Sequence, residues 1–531
     1  MGGGIRRRDL LRQSLAVGGA AAIGPALMRL GPLAERASGA PPRITNGPYG
    51  PLQPSGADGV QVPAGFEVRE IARGNVPLGT TGYVWPPFPD GSGSFPQPDG
   101  GWIFACNCEV PEPGESQGGA SAIRFDRDGN ARSAYRILSG TRSNCGGGIT
   151  PWGTWLSGEE VDTGLVWECD LTGQKPAEPR PAMGVFSHEY AVVHEAEKRV
   201  YLTEDESGGG FYRFTPAKWG DLRSGLLEIA ELRSDGIVVW HPVPDPEAKT
   251  TPTRQQVAAA SKLKRPEGLC VHARTGMVHM VESSASRVFT YEPATQTYTK
   301  VYNEADYQAP ILTDTDNIAA SPISRDLFVC EDSGDLDICM ITPEGEVAKF
   351  VHLDGPQHGD PSTDASSETT GPSFDPSGTR MYFSSQRAYV FGSLYEVTGP
   401  WRRDASGGPG PAPSPPPARL KIDAYRRVRR ARLVRQGLRV SVVPRGVTAD
   451  VVVALQVRER GGGRVTLAGA RRSAVPPKSS SQRTKLQLRP ARKARAYLSH
   501  RRGNLSAEIV AVATTTKGDR LEARRSIQIA T

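Results

Sequence analysis

No stretch of this 531-residue chain is apolar for long enough to cross a bilayer as a helix, because a spanning helix needs about 20 consecutive apolar residues. The nearest approach, Ser14–Leu30, is a mild run loosened by Ala and Gly. Cysteine is sparse and odd in number, seven in all, which leaves at least one thiol unpaired. Cys106 and Cys108 lie two apart on an expected strand, too far apart for easy mutual pairing, and Cys106, Cys169, Cys270, Cys330 and Cys339 read as buried apolar residues or ordinary disulfide partners. A phosphate-cradling Gly-rich loop before a helix is also missing, since Gly146-Gly147-Gly148 leads into the strand-like Thr150–Trp155. No covalent serine nucleophile is evident, and Ser, His and Asp are too plentiful for a triad to be picked out.

Acidic residues are scarce in one region only. From Ala418 to Thr531 there are 28 Lys and Arg against 6 Asp and Glu, a charge of +22, and the first 417 residues carry −15. The chain is therefore an acidic body with a basic tail. What it has in quantity is Gly and Pro, 60 and 45, which predicts many turns and an all-β body.

Four segments are expected. Residues 1–39 carry Arg6-Arg7-Arg8 followed by Leu10-Leu11, the mild apolar run and small residues at Ala37-Ser38-Gly39. These features predict a twin-arginine signal, export machinery as a partner, and a secreted, envelope or periplasmic location. Residues 40–404 form the main body. Residues 405–417 are a Pro- and Gly-rich linker. Residues 418–531 hold β-branched runs such as Leu438–Val443, Ala449–Val457 and Ala507–Thr514, which predict a small basic β-sandwich-like domain. Its charge suits anionic envelope polymers, and specific nucleic-acid binding is not expected.

The body contains a repeat. EYAVVHEAEKRVYLTEDESGGGFYRFTP opens at Glu189, EGLCVHARTGMVHMVESSASRVFTYEP at Glu267 and DNIAASPISRDLFVCEDSGDLDICMITP at Asp316. Glu204, Glu282 and Glu331 each follow the opening residue by 15. A unit from Cys145 places Glu160 at the same offset, and one from Glu368 keeps the strand-turn-strand pattern with Phe383 there. An earlier unit fits Trp102–Glu109 and Ala120–Phe125. Repeats on this scale, with one insertion near residues 217–260, predict a six-bladed β-propeller.

Innermost strands of a propeller run along its axis, so the opening residues Cys145, Glu189, Glu267, Asp316 and Glu368 should form one ring. Several carboxylates around one cavity repel unless they are protonated or bridged by cations. Oxygen ligands in that number suit calcium, and a thiolate beside them suits iron.

At these segments the chain resembles the PhoX-type alkaline phosphatases. The resemblance is carried by NCGGGITPWGTWLSGEE, SHEYAVVHEAEKRVYLTEDE, RPEG, DNIAASPISRDLFVCED and ETTGPSFDPSGTRMYFSSQ. It implies a phosphatase acting on phosphate monoesters through a calcium and iron cluster. By the same resemblance Cys145 looks like the iron-binding thiolate, Glu189, Glu204, Glu267 and Glu368 like cluster carboxylates, and Arg265 like a phosphate clamp acting with Glu267. Asp316 with Asn317, and Asn107 with Glu109, are further candidates, and His188 reads as a packing or supporting residue. The chain departs from the family pattern at Asn107-Cys108-Glu109, where Asn-His-Glu is common, and at Gly158, where a cysteine is found. A lactonase or phytase-like hydrolase would keep the acidic ring without the thiolate, and a binding propeller would use its metals structurally.

Overall fold

The computed structural model describes residues 41–111, 118–359 and 367–403, together with 419–424, 427–445, 449–458, 464–475, 484–500, 504–515 and 520–530 of the basic tail. The expected signal and linker lie outside the described residues. The described chain is all-β, with only short helical turns in the body.

A two-stranded sheet, Ser207–Gly209 with Leu263–Lys264, accompanies the six larger sheets that make up the body, antiparallel apart from the pairing of Arg43–Ile44 with Glu346 and Val347. Their inner strands are Pro89–Pro96, Asn144–Ile149, His188–His194, Pro266–Val271, Thr315–Ala320 and Thr369–Phe374. Each inner strand packs on the next, and the sixth packs on the first, so the six close into a ring. Hydrophobic clusters fill the spaces between sheets. Tyr201, Leu269 and Val278 join the third sheet to the fourth, Val281, Val288 and Val329 the fourth to the fifth, and Tyr382, Leu394 and Phe104 the sixth to the first. The last sheet is completed from the other end of the body, where Glu67–Arg73 pairs antiparallel with Ser393–Thr398. Closure of the ring thus rests on residues more than 300 positions apart in sequence.

Two expectations need correcting. The first sheet opens with Pro89–Pro96, and Trp102–Cys108 is its second strand. The sequence PDGSGSFP lacks the apolar alternation that marks a strand, so the pattern begins one strand late. The expected insertion is also smaller, because Phe211–Lys218, Asp221–Leu232 and Val238–Pro242 are outer strands of the third sheet.

Neighbouring inner strands approach closely, and glycine permits this. A Cβ on Gly146 would sit 2.2 Å from the Glu189 carbonyl oxygen, and one on Gly371, whose φ is +57°, 2.2 Å from that of Asp90. Near the start of all six inner strands the pairing register shifts, as between His188 and Ala191 or Pro266 and Leu269. Such bulges re-aim side chains. Here they lie beside the residues that face the axis.

In the tail, a three-stranded and a five-stranded sheet share one core containing Val440, Leu486, Val453 and Ile509. Two short helices, Arg430–Gln436 and Arg492–His500, add Leu433 and Leu498 to that core. Neither helix was expected from the β-branched pattern.

Candidate functional site

A cavity of about 130 Å³ lies where the inner strands meet. It is lined by nine carboxylates, those of Asp90, Glu109, Glu160, Glu189, Asp205, Glu267, Asp316, Asp332 and Glu368, with the Cys145 thiol and the guanidinium groups of Arg265 and Arg387. Two tiers account for most of them. Asp90, Cys145, Glu189, Glu267 and Asp316 sit at the beginnings of inner strands, and Glu109, Glu160, Asp205 and Asp332 lie just past the ends of second strands.

The structure brings Cys145, Glu189, Glu267, Asp316, Glu368, Glu109 and Arg265 together in this cavity. It does not bring Glu204. That residue is buried, accepting hydrogen bonds from the Tyr212 hydroxyl at 2.6 Å, the Gly210 amide at 3.1 Å and Arg254 at 2.7 Å. Adjacent residues of a strand face opposite sides, so its neighbour Asp205 enters the cavity instead. The 15-residue offset marks a family of glutamates that brace the sheets. Glu282 accepts from the Lys264 amide and Glu331 from the amides of Thr313 and Asp337. Glu160 breaks the pattern because its sheet is one residue shorter: Glu159 pairs with Asn144 and does the bracing, accepting from Trp167 and Leu165.

Asn107 also lies outside the lining. Its amide donates to the carbonyls of Cys145 and Gly146 at 2.9 and 2.7 Å, and its oxygen accepts from Trp155 and Ser157. It holds the second inner strand in place. Asn317 donates to Asp316 at 2.8 Å and accepts from the Gly371 amide at 2.6 Å. His188 is buried, bonded to the Gly184 carbonyl at 3.0 Å and stacked on Phe186. Burial pushes its pKa down to about 4, so it is neutral.

Within the cavity the Cys145 thiol donates to Glu189 at 3.0 Å. The ligand atoms of Cys145, Glu160 and Glu189 lie within 4.8 Å of one another. Arg265 grips Asp205 with two bonds of 2.8 Å and approaches Glu267 at 2.9 Å. Its backbone is left-handed, with φ of 53°, and Phe88, Ser143 and Asp314, each likewise two residues before an axial residue, share that conformation. Arg387 donates to Glu368 at 2.6 Å, and the Gln386 amide bridges Asp90 and Glu109 at 2.7 Å each.

Burial and mutual repulsion raise the acids. Asp90 is pushed up to about 7, by burial first and then by Glu109. Glu160, Glu189, Glu267, Asp316 and Glu368 are raised well above the carboxylate range, in each case by burial first and then by a neighbouring acid. Burial and then Asp90 raise the Cys145 thiol. Glu267 lies against Asp316, Glu160 against Asp205 and Glu368 against Asp332, and without a counter-ion the raised groups favour their protonated forms. Cations bound among these groups would remove the need for those protons. The donor set fits this role, with many hard oxygens, one soft sulfur, and a buried oxygen on Asp90 that has no hydrogen-bond partner.

The family profile of alkaline phosphatase PhoX matches residues 117–175 and 162–307. Over that stretch the chain is similar to the PhoX-type family. The matched residues include Cys145, Glu160, Glu189, Asp205, Arg265 and Glu267 of the cavity. No curated protein matches the chain. Among solved structures, a luciferin-regenerating enzyme is 14% identical over 65% of this chain and 98% of its own, with a TM-score of 0.34. A Bacteroides thetaiotaomicron protein of unknown function is 11% identical over 66% and 83%, and a Trichoderma reesei carbohydrate-active enzyme of family AA12 is 11% identical over 66% and 99%, each with a TM-score of 0.38.

Sequence reasoning missed Asp90, Glu160, Asp205, Asp332 and Arg387 as site residues. Asp205 and Asp332 could have been found by asking which neighbour of each repeated glutamate faces the axis.

Proposed function

We propose that the chain is a phosphatase that hydrolyses phosphate monoesters at a calcium and iron cluster inside a six-bladed β-propeller. One observation carries this reading: nine carboxylates and a thiol converge on one cavity from the ends of six sheets, in a chain that matches the PhoX-type profile. Cys145, Glu160 and Glu189 would hold the softer ion, and Glu267, Asp316, Asp90 and Glu368 the harder ones. Bound there, the cations supply Lewis acidity toward the ester phosphate.

The chain's own groups do the rest. Arg265 and Arg387, about 40% exposed, can each turn a guanidinium toward phosphate oxygens while remaining tied to Asp205 and Glu368. Gln386 ties Asp90 to Glu109 through its side-chain amide. A lactonase or phytase-like activity would need the acids and not the thiol, and a binding propeller would need neither arginine.

The test pairs metal analysis with aryl-phosphate hydrolysis on the same purified protein. Cys145→Ser and Glu267→Gln are expected to lower both metal content and turnover. Arg265→Ala is expected to keep its metals and lose roughly a hundredfold in rate, the order for one charge-stabilising group. No ester hydrolysis by protein loaded with calcium and iron would overturn the phosphatase reading. Export by the twin-arginine pathway and tethering to anionic envelope polymers through the basic tail complete the proposal. Unaltered export after replacing Arg7 and Arg8 by Lys would refute the first, and equal envelope retention of a chain ending at Arg403 the second.

A further inference from the structure

Left-handed backbone recurs around the cavity, and at one side it falls on bulky apolar residues. Tyr389 has φ of 51° and ψ of 29°, and Val390 has φ of 81°. A β-branched residue there is a genuine outlier, and unfavourable conformations of this kind cost of order 1–3 kcal/mol each. Phe88, at φ of 53°, is a second bulky residue in the same state. The two segments are bonded to each other and to the site. The Phe88 amide donates to the Phe391 carbonyl at 2.9 Å, and the Glu109 amide donates to the Phe88 carbonyl at 2.9 Å. The Val390 amide closes a turn onto the carbonyl of Arg387, the cavity-lining cation, at 3.0 Å.

The strained turn presents apolar side chains to solvent. Val390 is 70% exposed and Phe391 42%, two consecutive large hydrophobic residues three and four positions after Arg387 of the charged cavity. Tyr389 is held back under the Arg73 guanidinium, 3.6 Å from its ring centre. Ordinary surface turns expose polar residues, and Asn or Gly would adopt these angles at little cost. Holding Val390 at this angle, with Phe391 beside it, spends stability on an apolar rim.

We infer that Phe88, Val390 and Phe391 form a wall that receives the carbon group of the ester, so that the enzyme prefers monoesters of aromatic or branched apolar alcohols to those of small polyols. The inference rests on the phosphatase reading. Arg387 links the two features: its guanidinium lines the cavity, and its carbonyl accepts from the Val390 amide of the apolar turn.

The experiment compares kcat/KM for phenyl phosphate and glycerol phosphate in the metal-loaded full chain and in Val390→Asn and Phe391→Ser. Asn tolerates the left-handed backbone, which separates loss of the apolar surface from loss of the fold. The wild type is expected to favour the phenyl ester, and each variant to lower the phenyl-to-glycerol ratio about tenfold, the order for uncovering one apolar contact of this size. A measurement on the wild type alone guards against variants that do not fold: phenylphosphonate should inhibit about tenfold more tightly than methylphosphonate. Equal inhibition by the two, or a ratio unmoved in folded variants, overturns the wall while leaving the phosphatase intact. Absence of turnover on both esters overturns the phosphatase reading instead.

Discussion

The ring and the basic tail handle charge in opposite ways. In the ring, nine carboxylates are turned inward to a common cavity, where burial and repulsion raise the pKa values of Asp90, Glu160, Glu189, Glu267, Asp316 and Glu368. In the tail, Val440, Val453, Ile509 and Leu498 fill the core, while Arg432, Arg435, Arg492, Lys493 and Arg495 lie on the outside of its two helices. Water screens the tail's charges, so the tail needs no counter-ion to fold. The ring's charges are beyond such screening, and its stability must depend on protons or cations.

The largest expected effect tests that difference directly. In cation-free protein the folded ring binds more protons than the unfolded chain, because the folded pKa of Asp90 is about 7 against an unfolded value of ~4. Groups raised in this way contribute their stability at the acidic end and lose it as pH rises from ~4 through about 7. The chelated protein should therefore lose roughly 10 °C or more of its ring transition between pH 5 and pH 8, with calcium and iron restoring it. The tail's transition should barely move. Calorimetry resolves the two, and a ring transition indifferent to both pH and cations would mean that the cavity is not the source of its instability.

A second contrast lies within one strand end and is smaller. Glu204→Gln should weaken the ring by about 1–3 kcal/mol, because it disrupts buried bonds to Tyr212 and Arg254, with metal content kept. Asp205→Asn should do the reverse. Its stability cost is slight, but Arg265 loses its two-bond partner, and aryl-phosphate turnover should fall by about tenfold or more. Denaturant melts and rates on the same pair of proteins decide it, and matching behaviour of the two variants would erase the distinction between bracing and lining residues.

That pair also shows what the sequence could reveal. The repeat made the ring legible because each unit keeps an acid or thiol at its opening, and Cys145, Glu189, Glu267, Asp316 and Glu368 all reach the cavity. The offset of 15 was equally plain and pointed to the wrong face, since strand alternation turns a one-residue difference into the opposite side of the sheet. Asp90 was hidden because its strand is made of Pro, Gly and Ser. Arg387 was hidden because a guanidinium two sheets away in sequence from Arg265 leaves no local pattern.

The smallest effect concerns His188, the one imidazole on an axial strand end. Among the described residues it meets no carboxylate of the cavity: one ring nitrogen bonds the Gly184 carbonyl, the other has no partner, and the ring stacks on Phe186. A neutral, stacked imidazole contributes packing and one hydrogen bond. His188→Phe keeps the stacking and removes that bond, so it should cost about 1 kcal/mol of stability and leave both metal content and aryl-phosphate turnover within about twofold of the parent. Metal analysis is the deciding measurement. If the substitution strips an ion from the protein, the cavity recruits a nitrogen ligand when loaded, and the separation drawn here between an all-oxygen-and-sulfur ring and its packing shell does not hold.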